Sequence, residues 1–238
     1  MKLSPQEVAD FREQGWLRLG RIAPPEQVAE LVAEEKRFRL DRGYGTERND
    51  TLRVNIQLCH RSEPVRRFCT TGAHIDALRQ LIGPDVCLTH QQFVTKLADT
   101  GEQRSDIPLH QDAGYGELDP ATDVTVWLPL VDTDQQNGAL LVVPRSHTRG
   151  LVEHESASVN PVLREAGGNG ETGKRVSLAA GEGVAFSGML LHASGPNRSG
   201  RERPAMYARY CEPHTRMLSE GGRPVLEDPH SWMVSGEA

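Results

Sequence analysis

The sequence predicts an all-β core, a sandwich or a barrel, with helices flanking it on the N-terminal side. Three observations carry that reading. Short strand-like runs recur from Val86 to Cys211, divided by turn signals such as Asn137-Gly138 and Gly181-Glu182-Gly183. Helix signals fall before Gly83-Pro84. The length of 238 residues suits one domain, and no apolar run approaches the ~18 residues of a membrane span.

The elements follow in order. Ser4-Pro5-Gln6-Glu7 is a capping-box pattern with proline at the first helical position, so a short helix runs to about Gln14 and ends at Gly15. Residues 16–19 read as a short strand. Pro24-Pro25 opens a second helix whose apolar face is Val28, Leu31, Val32 and Phe38. Residues 43–50 are polar and turn-like. Residues 51–58 then alternate, with Val54, Ile56 and Leu58 on one face and Arg53, Asn55 and Gln57 on the other. That polar row is either solvated or the lining of a polar pocket. A helix is expected over 73–82, stopped by Gly83-Pro84. Strands are expected at 86–97, 107–109, 124–131, 139–143, 175–178, 184–187, 190–192 and 205–211. The polar tail, 220–238, is expected to lie on the surface or to be disordered.

Composition removes several function classes. A net charge of −6 with no basic block argues against a nucleic-acid partner. Cys59, Cys69, Cys87 and Cys211 are scattered without a C-x-x-C, which fits neither a zinc ribbon nor a disulfide framework. A reduced, cytoplasmic setting is expected, since the start lacks the apolar region of a signal peptide. Residues 168–174 imitate a phosphate-binding loop, but Arg175 stands where Ser or Thr should hold magnesium, so a flexible loop is expected. There is no Gly-x-Ser-x-Gly elbow. His60, His74, His90, His147 and His154 have no partners at ligand spacing and read as hydrogen-bonded or surface side chains.

The chemistry sits at Leu109-His110-Gln111-Asp112. Residues two apart on an extended strand share a side, so His110 and Asp112 can reach one point in space. With one further histidine they would make the facial triad of a non-haem iron centre, which leaves positions open for substrate chemistry. His192, at the end of an apolar strand, is the candidate. Ser194 follows on the same face, and Arg203 begins the next strand. An arginine fork and a hydroxyl near iron suit a dicarboxylate that chelates the metal at its other end.

These residues carry a resemblance. The chain resembles the phytanoyl-CoA dioxygenase family of Fe(II)/2-oxoglutarate oxygenases over roughly Gln92 to Arg209. The match is best in three blocks: Leu109-His110-Gln111-Asp112; Trp127 to Leu130 through Asn137-Gly138-Ala139-Leu140 to Pro144-Arg145-Ser146-His147; and His192 to Asn197 with Arg203. The resemblance implies a double-stranded β-helix (jelly roll, cupin-like) core with flanking helices. In it His110, Asp112 and His192 hold iron, while Arg203 and Ser194 meet the far carboxylate of 2-oxoglutarate. Trp127 and Gln92 lie near that cosubstrate. Lys96 falls at a family position often basic, but Leu97 replaces the usual proline there; His147 reads as a structural turn residue. One domain is then expected, helical over residues 1–83, with a core about 86–212 and a tail 213–238. The expected activity uses Fe(II), 2-oxoglutarate and O2 to oxidise a small molecule, without nucleic acid or membrane, in a monomer or homodimer. Arg53, Asn55, Tyr115 and Arg209 are the candidate substrate contacts. An acyl-CoA substrate, or a jelly roll that binds a ligand or metal without turnover, are the rival readings.

Overall fold

A computed structural model of the chain describes residues 1–39, 45–49, 51–98, 105–157, 160–163, 173–218 and 221–235. The first helix, α1 (Pro5–Gln14), is closed by the expected capping box: Glu7 N donates to Ser4 Oγ at 3.2 Å and Ser4 N to Glu7 Oε2 at 2.7 Å. It leads into β1 (Trp16–Arg21) and then α2 (Pro25–Arg39). Residues 45–49, expected as a turn, are instead β2 (Gly45–Asn49), because backbone pairing with β3 (Leu52–Ile56) supplies what their polar composition does not signal. Two helices follow: α3 (Glu63–Thr71), not among the expected elements although Ser62 caps it and Pro64 opens its first turn, and α4 (Ile75–Leu81).

The remaining strands build the core. They are β4 (Val86–Lys96), β5 (Ile107–His110), β6 (Leu118–Asp119), β7 (Val124–Pro129), β8 (Leu140–Val142), β9 (His154–Ala157), β10 (Asn160–Leu163), β11 (Lys174–Val176) and β12 (Glu182–Ser187). The last five are β13 (His192–Ser194), β14 (Arg203–Cys211), β15 (Arg216–Met217), β16 (Arg223–Pro224) and β17 (Trp232–Ser235). A large antiparallel sheet has the order β1-β12-β7-β14-β4-β3-β2, with β17 paired beside β3 on the edge of β4. A smaller sheet, β11-β8-β13-β5, faces it. This is the jelly-roll architecture, with the site between the two sheets.

Alternation along the central strands sorts the two sides of the large sheet. Val126 and Leu128 of β7, with Phe93, Met206 and Ala208, pack outward into one core with Leu31, Phe38 and Phe68 of the helices. Trp127 points the other way, into a core with Leu140, Val142, Phe186 and Ala205 between the sheets. The strand β7 is therefore buried on both faces, which explains its nearly continuous apolar run.

The tail lies on the surface, as expected, but strand pairing ties it to the fold. Strand β17 pairs with Val86–Leu88, β15 pairs with both β6 and β16, and Val225 is the one buried residue among those described from 221 to 234. The loop over 168–172 and residues 219–220 and 236–238 lie outside the described residues. No helix among the described residues is long and apolar enough to cross a membrane.

Candidate metal and cosubstrate site

The register of the small sheet brings the first and last ligand candidates together. His192 and His110 are direct cross-strand partners of β13 and β5, and their rings lie 4.2 Å apart. Strand β5 ends at His110, and Asp112 opens a short 3₁₀ turn, Asp112–Tyr115. Gln111 between them stays extended at φ −114°, ψ 141°, so the alternation that aims both side chains inward survives. Gln111 is itself locked away from the site. Its Nε2 donates to Met189 O at 2.6 Å and Gly150 O at 2.9 Å, and its Oε1 accepts from Val152 N at 2.8 Å. His192 starts β13 rather than ending a strand as the apolar run before it suggested. Residues 188–190 instead form a turn, closed by Leu190 N donating to Ser187 O at 2.8 Å, and Leu191 N donates to Ser146 Oγ at 2.8 Å.

His110, Asp112 and His192 are buried, and one ligand atom from each lies within 4.8 Å of the others. Asp112 Oδ1 stands 3.5 Å from His192 Nε2 and 3.8 Å from His110 Nε2. Every outer atom is tied down. His110 Nδ1 donates to Pro108 O at 2.7 Å, His192 Nδ1 to Leu190 O at 2.9 Å, and Thr125 Oγ1 to Asp112 Oδ2 at 2.6 Å. Donating through Nδ1 leaves each Nε2 with its lone pair toward the centre, the form a metal requires. Burial would raise the Asp112 pKa, but His192 and His110, then Arg209 and Thr125, outweigh it and hold the carboxylate below its usual range. Three inward donors, two imidazoles and one ionised carboxylate, fit a divalent iron with open positions.

Arg203 supplies the second test of fit. It is 2% exposed, and its Nε and Nη1 are buried without a hydrogen-bond partner, with Trp127 stacked 5.7 Å from its Cζ. Burial lowers its pKa to about 10, so it remains a cation at neutral pH. A buried guanidinium that finds no partner in the protein fits an anion brought from outside. Ser194, also buried, lines the same cavity as Arg203, Trp127 and Gln92.

Lys96 is the register partner of Arg203 and donates to Gly195 O at 2.5 Å and Ser194 O at 3.1 Å. Burial, then the charge of Arg203, pushes its pKa well down. It thus braces the chain just past His192 and Ser194. Gly138 lets this happen: at φ +78° its added Cβ would fall 2.3 Å from Gly195 O. Asn197 completes the brace, with Nδ2 donating to Arg201 O at 2.6 Å and Lys96 O at 3.1 Å.

The four candidate substrate contacts divide. Tyr115 and Arg209 line the cavity; Tyr115 is exposed and meets the His110 ring edge-on at 5.7 Å. Arg53 and Asn55 do not line it. The strand β3 turns Leu52, Val54 and Ile56 to the cavity instead, and Asn55 Nδ2 donates to Phe38 O at 3.2 Å on the helix side. Of the polar row, Asn55 thus meets α2, Arg53 is half-buried away from the cavity, and Gln57, just past β3, does line it. His90 was passed over, yet it lines the cavity between Gln57 Nε2 at 3.3 Å and Gln92 Oε1 at 3.4 Å. Its place two residues before Gln92 on one strand was the available signal. His147 docks on the end of α1 through Nε2 to Arg12 O at 3.0 Å, the structural role expected of it. The four cysteines are free and buried.

Comparison with known proteins fits this geometry. The phytanoyl-CoA dioxygenase (PhyH) family model matches residues 11–205. Peroxisomal phytanoyl-CoA dioxygenase of Rattus norvegicus is 26% identical over 244 residues, covering 92% of this chain and 72% of that protein. The Bos taurus protein is 26% identical over 174 residues, covering 70% of this chain and 52% of its own, so the chain spans about half the length of some relatives. Among solved structures, the epimerase SnoN, in complex with Fe3+, alpha ketoglutarate and nogalamycin RO, superposes with a TM-score of 0.76 at 21% identity, covering 92% and 86% of the two chains. The alpha ketoglutarate dependent carbocyclase SnoK from nogalamycin biosynthesis gives 0.78 at 19%, covering 98% and 97%. Those two share the fold. With the family model covering most of the chain, this protein belongs to the phytanoyl-CoA dioxygenase (PhyH) family.

Proposed function

We propose that the protein is an Fe(II)- and 2-oxoglutarate-dependent oxygenase that hydroxylates a small molecule in a biosynthetic tailoring step, with release of succinate and CO2. One observation carries this reading: a preorganised His-Asp-His triad and a buried, unpartnered Arg203 face the same cavity. Iron bound there supplies, with 2-oxoglutarate and O2, the oxidising power that no side chain has. The chain's own work is to bind, orient and exclude water. His110, Asp112 and His192 hold the metal in one geometry, because Pro108 O, Leu190 O and Thr125 fix their outer atoms. Arg203 and Ser194 would take the far carboxylate of the cosubstrate, with Trp127 and Gln92 lining the same cavity beside them. Tyr115 guards the exposed side of His110.

The test is direct. With Fe(II), O2 and a metabolite extract, succinate should form only when 2-oxoglutarate is supplied; a product made without it would sink the reading. The names of the mammalian relatives favour a second substrate, an acyl-CoA. Phytanoyl-CoA offered in the same assay separates the two.

A further inference from the structure

The cavity, about 430 Å³ in volume, is divided by its own charges. Strand register fixes the levels. Arg203 pairs with Lys96 at one end, while Arg209 pairs with His90 and with Thr125, the residue that holds Asp112, at the other. The inward positions His90, Gln92, Val94 and Lys96 step along β4 between them, about 20 Å from first to last at ~3.3 Å per residue. On the proposed function, which this inference deepens, the triad and Arg203 would hold the cosubstrate between them. The space left for substrate is on the His90 side.

That side offers no uncommitted charge among the described lining residues. Arg209 Nε is 2.7 Å from Asp123 Oδ2, and its Nη2 donates to Gly116 O at 3.1 Å. Asp228 accepts from Arg223 Nη2 at 3.0 Å and from His230 N at 2.8 Å. The walls are apolar: Val54 and Ile56 from β3, Leu118 from β6 and Met217 from β15. A charged group moved here from water would lose its hydration and find no counterion. Polar groups also line it, among them Thr89, Tyr115, Tyr207 and the hydrogen-bonded Gln57-His90-Gln92 rail. Gln57 donates to His90 Nδ1, so His90 Nε2–H donates to Gln92 Oε1, and the ring is neutral. Burial, the largest influence on it, holds the His90 pKa down in agreement.

We propose that the half of the cavity around His90 and Met217 takes an uncharged, chiefly apolar molecule carrying one hydrogen-bonding group, read by the Gln57-His90-Gln92 rail, and rejects carboxylates and ammonium groups. Met217, on β15, closes that half of the cavity from the C-terminal part of the chain, beyond the residues matched by the family model.

Three probes of equal chain length test it: decan-1-ol, decanoate and decylammonium. Each is titrated calorimetrically, without oxygen, into the full chain loaded with Fe(II) and 2-oxoglutarate. Decanol should bind at least ten-fold more tightly than either ion. His90→Phe should weaken decanol about five-fold and 2-oxoglutarate, which Gln92 also faces, by less than two-fold. Asp123→Asn, which releases the Arg209 charge, should strengthen decanoate about ten-fold. Should that variant not fold, Met217→Arg, at a partly exposed site, should do the same. Either ion binding as tightly as decanol overturns the inference, as does failure of all three to bind. The 2-oxoglutarate titration is the control: its absence defeats the oxygenase reading, whereas its presence with the wrong order of probes defeats only the substrate class.

Discussion

Both ends of β14 put an arginine against the same cavity, and the chain treats the two in opposite ways. Arg209 is paired: Asp123, 1% exposed, takes its Nε, and Gly116 O takes its Nη2. Gly188 leaves room for that pair, since a Cβ there would fall 1.8 Å from Asp123 Oδ2. Arg203 is equally buried, and its Nε and Nη1 have nothing. A buried cation with its counterion is architecture, whereas a buried cation without one costs stability that only an incoming anion can return. Arg209 therefore shapes the cavity, and on the proposed function Arg203 is the side chain that binds in it.

The largest expected effect lies at the triad that separates the two arginines. His192→Ala should lose Fe(II), measured by metal analysis, and turnover below detection, while circular dichroism reports a folded chain. Full activity in that variant would leave no role for the metal site. Next comes Arg209→Met, which strands Asp123 inside the protein. It should cost about 3–5 kcal/mol in denaturant unfolding and leave the 2-oxoglutarate KM of the surviving folded enzyme nearly unchanged.

Arg203 should behave in the reverse way. Arg203→Lys cannot reproduce the two-pronged contact and should raise the 2-oxoglutarate KM by about 10–100-fold, equivalent to ~1.4–2.8 kcal/mol. Arg203→Met should bind no cosubstrate, yet without ligand it should melt at least as high as the unchanged protein. A gain of ~1 kcal/mol would appear as about 2–4 °C in Tm. Lower stability in Arg203→Met and an unaffected melt in Arg209→Met would together reverse the comparison. A smaller loss is expected at Thr125→Val, which frees Asp112 Oδ2: about 10-fold in Fe(II) affinity.

How much of this could be read from the chain depends on the range of the signal. The His110-x-Asp112 pair was legible because a period of two is local, and the 3₁₀ turn at Asp112 did not disturb it. The alternation of β3 was legible too, but alternation names two faces without saying which one meets the cavity. Here the cavity wall is apolar, so Val54 and Ile56 took the face that Arg53 and Asn55 were expected to take. The tail was illegible for another reason. Trp232 and Met233 find Leu88 and Cys87 across more than half the chain, and no local pattern announces a partner so distant. His90 was missed because its role comes from Gln57 on another strand end, not from any ligand spacing.

His74 tests the same rule away from the cavity. It is fully buried behind the large sheet, with Nε2 3.0 Å from Tyr210 OH, which in turn donates to Cys69 O at 3.0 Å. Its Nδ1 has no partner, as with Arg203, but the chain escapes the cost by keeping the ring neutral. Burial, with a smaller push from the N-terminal ammonium, lowers its pKa from 6.5 to about 3. The folded state thus binds this proton less readily than the unfolded chain. Stability from this group is complete above pH 6.5 and is lost as pH falls from there toward 3, at up to about 1.4 kcal/mol per unit. Denaturant unfolding at pH 7 and pH 5 should show the loss in the unchanged protein. In His74→Gln, which cannot take up the proton, that share of the slope should vanish, whatever the variant costs at neutral pH. An identical slope in both proteins would mean that the buried ring is already charged, or is reached by water that shares the charge.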